Sequence, residues 1–506
     1  MIGGAYILVV VGILLAKGLG FVRDMVFAGA FGTATASDIY FQVFGLVNLI
    51  FTGLGVALST LVIKNLNKAE NHGKEIGYAA SFLRKSCLWM TVCAALVALC
   101  AKPIVRLILP NLSGADFDLA VRMMYIMSPS LIFVVLAYII SGLLQNKQVY
   151  FITSVMSLPF NVAIILSLLP GDVSITTVGV VTTIGWFLHI VIQLPAFFKN
   201  GYSITAPGSK QASTHKSPEI LWIFVSNMMF QLCVYIDRAF VSESEGMAST
   251  FNYASNLFIT IASVFVVAMS TVVFPSISKN YEEGHMDYVK ELVQYIISIM
   301  VAIFLPFILV VACFGGDVIR LVYERGEFTS HDTLAVSLIF LLYTLGALGY
   351  VAQELLNKVL YLAGKYKNTV IATVSVVVLN LGLNYVMNFF FADQTAFGMS
   401  LSAILSAAST ALLMNLYAVV IALSMKKVIG NYFTASLFLD LGKILLSGLA
   451  AAVVYFIFDR LIPEITHGYI SFLIPLCACG IAYGAMLLGT GMVKKLLKRE
   501  KKEVQS

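Results

Sequence analysis

Long apolar runs separated by short polar stretches fill the chain from end to end. They fall near 2–30, 38–63, 82–109, 119–144, 149–169, 176–198, 219–242, 250–275, 289–323, 333–363, 368–391, 396–425, 436–461 and 468–493. Each is long enough to cross a bilayer as a helix, so the pattern predicts about fourteen transmembrane spans. The intervening stretches alternate in charge. Lys64, Lys68 and Lys74, then Lys147, then Lys199, Lys210 and Lys216, then Lys279, then Lys365 and Lys367, then Lys426 and Lys427 mark every second one. The alternate loops 31–37, 111–118, 170–175, 243–249 and 392–395 carry no lysine or arginine; Arg325 and Arg460 are the exceptions. By the positive-inside rule both termini are expected in the cytoplasm.

The longest basic loop, about 199–218, is rich in Gly, Ser and Lys and reads as a flexible linker. It separates two similar halves. Asp24-x-x-Phe27 followed by Tyr40 recurs as Asp237-x-x-Phe240 followed by Tyr253, at an offset of 213. Ile104-Val-Arg106-Leu recurs as Val318-Ile-Arg320-Leu, Leu119-Ala-Val as Leu334-Ala-Val, and Ser154-Val-x-x-Leu158 as Ser375-Val-x-x-Leu379. An even number of spans per half makes the repeats parallel. The expected fold is therefore an all-α, polytopic membrane protein. Two pseudo-symmetric six-helix lobes, 1–200 and 218–425, surround a central cavity. A cytoplasmic linker, 201–217, joins them. Two more helices and a basic tail, 426–506, follow.

Composition agrees: 59% of the 506 residues are hydrophobic and 11% charged, against about 25% charged in soluble domains. The amino terminus lacks the basic region and small-residue cleavage site of a signal peptide, so the first helix is expected to be retained. Much of the net charge of +6 lies between Lys494 and Lys502, a cluster suited to anionic lipid rather than nucleic acid. The seven cysteines and six histidines show no metal-binding spacing. No Walker motif, dinucleotide loop or nucleophile elbow is present, so an enzyme is not expected. Work would come from an ion gradient or the membrane potential, worth about 2.3 kcal/mol per charge per 100 mV.

The candidate chemistry sits where charge interrupts apolar sequence. The first run carries Lys17, Arg23 and Asp24. Each costs about 2.5–3.5 kcal/mol at mid-bilayer on insertion scales, and a tolerated charge faces a bundle interior or a wet cavity. Lys17 and Asp24 share a helical face, with Arg23 about 100° away. Two readings stand: an ion pair within the helix, or a cationic cavity wall that binds an anion. Asp38 reads as the N-cap of the second helix, or as a cavity-mouth group that tunes Arg23. Asp237-Arg238 is the second-half counterpart of Arg23-Asp24, either a local ion pair or a second charged wall. Glu354 and Lys358, four apart, suit a helical salt bridge. Asn380, Asn384 and Asn388 form one polar stripe. It serves hydrogen bonding between helices, or, with Asp237, supplies oxygen ligands of the kind sodium needs. Pro129, Pro159, Pro195 and Pro306 each remove a backbone bond and allow a kink. In Tyr323-Glu-Arg-Gly-Glu-Phe-Thr329-Ser-His-Asp332-Thr, Thr329 and Asp332 predict a capping box.

Several of these motifs resemble those of the MurJ (MviN) lipid II flippases, of the multidrug/oligosaccharidyl-lipid/polysaccharide (MOP) exporter superfamily. The first-helix signature is Gly20-Phe-Val-Arg23-Asp24, then Ala28 to Gly32, then Asp38. The 323–333 loop, Tyr253-Ala-Ser-Asn256-Leu, Phe274-Pro-Ser and Lys358-x-x-Tyr361 with Asn368-Thr369 add to it. The resemblance covers nearly the full chain. It implies a cationic cavity between two lobes that turns over lipid II, an undecaprenyl-pyrophosphate-linked disaccharide-pentapeptide, in the bacterial cytoplasmic membrane. Carried over by position, Lys17 and Arg23 contact the pyrophosphate, and Asp24 and Asp38 orient them. Arg238, Asn256, Glu354 and Lys358 line the cavity, and Asp237, Asn380 and Asn384 match a sodium site, with no other cofactor. The expected partners are the lipid substrate, membrane lipids and the cell-wall synthesis machinery, for a protein acting as a monomer. The chain departs from the family pattern twice: Phe51-Thr-Gly-Leu-Gly-Val stands where a second-helix arginine is expected, and Asn256 replaces an eighth-helix arginine. The alternatives are a flippase for another lipid-linked glycan (capsule, teichoic-type or O-antigen-like) and an integral-membrane glycosyltransferase.

Overall fold

The computed structural model describes residues 2–66, 72–110, 112–207, 218–242, 244–462, 471–493 and 495. Lys68, Lys210, Lys216, Lys494 and Lys502 lie outside them. The described residues form helices, apart from one two-residue hairpin. They divide into two compact units: 1–252 with 325–328, and 253–324 with 329–506.

The first unit opens with α1, Ile2–Phe31. Next come α2, Thr35–Val47, a π turn at Asn48–Thr52, and α3, Gly53–Leu66. The second apolar run is thus a broken helix rather than one continuous span. α4 (His72–Leu99), α5 (Ala101–Ile108), α6 (Gly114–Met127) and α7 (Ser130–Asn146) follow. Then come α8 (Phe151–Ser154), α9 (Leu158–Leu168), α10 (Ile175–Val191) and α11 (Leu194–Lys199). The unit ends with α12 (Pro218–Asn227), α13 (Met229–Val241) and the first turns of α14 (Met247–Glu282). α7 lies at its centre, against α3, α4 and α10, while α9 packs on both α1 and α10.

The second unit holds the rest of α14. It continues with α15 (Met286–Tyr323), α16 (Ser330–Leu345), α17 (Ala347–Val351), a π turn at Ala352–Leu356, and α18 (Asn357–Leu362). α19 (Tyr366–Phe391) joins α20 (Leu401–Ile429) through the hairpin Thr395–Ala396/Met399–Ser400. Phe397 and Gly398, both at positive φ, close that hairpin, as a two-residue type I′ turn requires. α21 (Ala435–Leu461) and α22 (Leu473–Gly489) pack on each other, and α21 also on α15. Ala302, Ile444, Ala451, Cys479 and Tyr483 form the core there.

The prolines mostly start helices rather than kink them. Pro129 precedes α7, and Pro159 and Pro195 occupy the first turns of α9 and α11, where a missing N–H costs nothing. Pro306 alone of the four lies inside a helix, α15.

α19 shows which solvent this chain expects. Its inward stripe is Thr369, Thr373, Asn380 and Asn384, all at 0% exposure, while Ile371, Val378, Tyr385 and Phe389 are more than 60% exposed. In water that arrangement would be inverted. In a bilayer it satisfies the polar groups within protein and gives the apolar ones to acyl chains. Eight helices among the described residues are long and apolar enough to cross a membrane, or nine if the pair α16 with α17–α18, bent by 53°, is one span. That is fewer than the fourteen apolar runs, in part because runs such as 38–63 fold in pieces. The chain is an all-α, multi-span membrane protein.

Candidate functional site

The charged group of α1 is built by three elements of the first unit. Arg23 and Asp24 are neighbours on one helix, where successive side chains point about 100° apart. The guanidinium bridges that angle by its length. Its Nη2 donates to Asp24 Oδ1 at 2.6 Å and its Nε donates to the same oxygen at 3.0 Å. The other edge of the fork is held by α9: Nη1 donates to Asn161 Oδ1 at 3.2 Å. Asn161 is itself anchored, its Nδ2 donating to the Ala16 carbonyl at 3.5 Å. Phe160 lies under the guanidinium, 5.5 Å from ring centroid to Cζ, and is backed by Trp186 and His189 of α10. The sequence paired Asp24 with Lys17; the structure gives Asp24 the adjacent arginine.

The Arg23 side chain keeps 19% of its surface exposed, and Lys17, on the same helix, is half-buried. Two cations and one carboxylate leave the group with net positive charge. An arginine fork held on one edge and stacked on a ring is suited to phosphate recognition.

Asn161 and Phe160 are missing from the sequence reading. The one available signal is a polar amide inside the apolar run Leu158-Pro-Phe-Asn-Val-Ala-Ile-Ile.

Asp38 corrects its expectation. The N-cap of α2 is Ala34, and Asp38 sits one turn in. Its carboxylate accepts from Gly246 N at 2.8 Å through Oδ2 and from Ser249 N at 2.6 Å through Oδ1. It therefore caps α14, a helix far away in sequence. Gly246, at φ +78, is needed for the close approach: a Cβ there would lie 2.3 Å from the Thr33 carbonyl oxygen. Thr35 Oγ1 donates to Glu245 Oε1 at 2.9 Å beside it.

Arg238 differs from its first-half counterpart. It is 7% exposed, donates from Nη1 to Asn252 Oδ1 at 2.6 Å and packs against Gly45 of α2. Asp237 beside it on α13 is fully buried. The other members of the expected sodium set, Asn380 and Asn384, are carried by α19 of the second unit. There Asn380 Nδ2 donates to Thr410 Oγ1 at 2.7 Å, and Asn384 Nδ2 to the Asn380 carbonyl at 3.0 Å. Asn256 is half-buried on α14. In the π turn of the second unit Glu354 accepts from Gln353 Nε2 at 3.3 Å. Lys358 Nζ donates to Ser270 Oγ of α14 at 2.5 Å, a partner on another helix that the four-residue spacing did not anticipate.

The loop at 323–333 holds as read. Asp332 Oδ2 accepts from Thr329 N at 2.7 Å and from Thr329 Oγ1 at 2.9 Å, and Thr333 Oγ1 donates to Glu324 Oε2 at 2.6 Å. Its tip, 325–328, joins the first unit, where Glu327 N donates to the Gly29 carbonyl at 3.0 Å.

Comparison with known proteins places this arrangement. The family profile described as lipid II flippase MurJ matches residues 27–475. A Buchnera aphidicola (subsp. Acyrthosiphon pisum, strain APS) protein named "Probable lipid II flippase MurJ" is 23% identical over 408 residues, 77% of this chain and 78% of its own. A solved structure described as lipid II flippase MurJ in an inward closed conformation superposes with a TM-score of 0.76. It is 22% identical and covers 97% of this chain and 99% of its own. An inward-facing multidrug resistance MATE family transporter of the MOP superfamily shares the fold with a TM-score of 0.64 at 15% identity, over 82% of this chain and 96% of its own. With nearly its whole length matched by the family profile, the chain belongs to the lipid II flippase MurJ family.

Proposed function

We propose that this chain carries lipid II from the inner to the outer leaflet of the cytoplasmic membrane by alternating access, with both termini cytoplasmic. The observation that supports it most is the Arg23 group: a cationic fork on a membrane helix, half-buried and braced by Asp24, Asn161 and Phe160. A diphosphate is the one strongly anionic part of such a lipid that must cross the apolar layer. Charge-assisted bonds from arginine to phosphate are about twice as strong as neutral ones. Lys17 adds a second cation to the same group. Asp237, Asn380 and Asn384 offer carboxylate and amide oxygens to a coupling sodium ion, and the membrane potential is the other available drive. A monomer working beside the cell-wall synthesis machinery fits this role.

The decisive experiment uses purified protein in liposomes with lipid II labelled on its peptide. Wild type should move the label across the bilayer, and protein-free liposomes should not; equal rates would refute the reading. A second reading, transport of a different undecaprenyl-linked glycan, draws on Thr52 and Asn256, which stand where the family pattern leads one to expect arginine. Faster transport of that glycan than of lipid II in the same liposomes would establish it.

A further inference from the structure

The π turn Asn48–Thr52 interrupts the path from α2 to α3, and such turns concentrate at functional sites. A cavity of about 330 Å³ opens beside it. Asn48, Thr52 and Thr60 line one wall, and Phe224, Asn227 and Gln231 line the other. No lysine, arginine, histidine, aspartate or glutamate contributes to the lining. Thr52 Oγ1 donates to Asn48 Oδ1 at 2.7 Å, which fixes the asparagine amide. Gln231 Oε1 is shut off from solvent and accepts no hydrogen bond from any described group.

These features select among ligands. A buried acceptor without a donor is unfavourable until something supplies one. An acyl chain has no donor to give. A phosphate would need a cation in the wall, and a cationic drug would need a carboxylate. A neutral ring with hydroxyl groups satisfies Gln231 and can lay an apolar face on Phe224. Side-chain amides each present a donor and an acceptor, which complements an acetamido substituent. The volume stands near the lower end of the roughly 300–1,000 Å³ of ligand sites, enough for a ring and too little for a peptide.

We infer that this cavity is the sugar subsite of the carried lipid, taking an uncharged hexose ring that bears an acetamido group. The inference rests on the proposed transport of a lipid-linked saccharide and gives that substrate a second point of contact, chemically distinct from the Arg23 group. The lipid's sugar is then recognised by neutral amides of α2, α12 and α13, and its diphosphate by the cations of α1.

The test measures binding to the purified full-length protein of two lipids: undecaprenyl diphosphate without sugar, and undecaprenyl-diphospho-N-acetylglucosamine. Gln231→Leu should weaken the sugar-bearing lipid about tenfold, the loss of about one hydrogen bond, and leave the sugarless one unchanged. Thr52→Val, nearly isosteric, should shift the same lipid in the same direction; it decides the matter if Gln231→Leu loses both lipids together with its fold. Arg23→Ala should weaken both lipids. If wild type binds both and neither variant separates them, the subsite is overturned while the transport reading stands. If wild type binds neither lipid, the transport reading falls and takes the subsite with it.

Discussion

Asp24 and Asp38 lie fourteen residues apart in one signature, at the end of α1 and the start of α2, and both are buried. Their surroundings differ in kind. Asp24 faces a mobile-headed cation, Arg23, which keeps part of its surface open. Asp38 faces two backbone N–H groups, at Gly246 and Ser249, that cannot move without unwinding a helix start. A carboxylate bound to a side-chain cation tunes a site. A carboxylate that closes orphan amides at a helix N-terminus builds the fold. A charged residue in a membrane segment is therefore assigned by its partner rather than by its presence.

Replacements should pull the two apart. Arg23→Ala should give the largest functional loss, failing to rescue a flippase-depleted strain although it reaches the membrane in normal amount. Full rescue at equal expression would remove Arg23 from the site. Asp38→Ala should act the other way round. It leaves two buried amides without a partner, at about 1–3 kcal/mol each, so a lowered Tm and reduced yield should precede any specific transport defect. A normal Tm with abolished transport would reverse the assignment. Asn161→Ala should fall between. It removes one bond from the Arg23 fork, about 1–1.5 kcal/mol, and should slow transport by roughly tenfold with little change in Tm. Asp332→Ala should be smallest, costing about 1 kcal/mol of cap energy, read as a small drop in Tm with transport retained.

The same contrast explains what could be read from sequence. The helical class and the membrane setting are written in apolar periodicity, which is local. Lys17, Arg23 and Asp24 stand out because charge inside an apolar run is costly, and the Thr329–Asp332 cap because its partners are three residues apart. Asp38's partners lie 208 and 211 residues away, and Arg23's bond to Asn161 spans 138. No spacing rule reaches that far. The π turns at Asn48–Thr52 and Ala352–Leu356 escape for another reason: one extra residue per turn leaves hydropathy nearly unchanged. Lys358 went to Ser270 of α14 because tertiary packing offered it a partner that its own helix did not reveal.

The central claim is that the α1 cation grips the diphosphate. Affinity of purified wild type and Arg23→Ala for undecaprenyl diphosphate, measured side by side with their Tm values, tests it most directly. The account predicts affinity weakened by about a hundredfold, two charge-assisted bonds' worth, at an unchanged Tm. Equal affinity in the two proteins would contradict it.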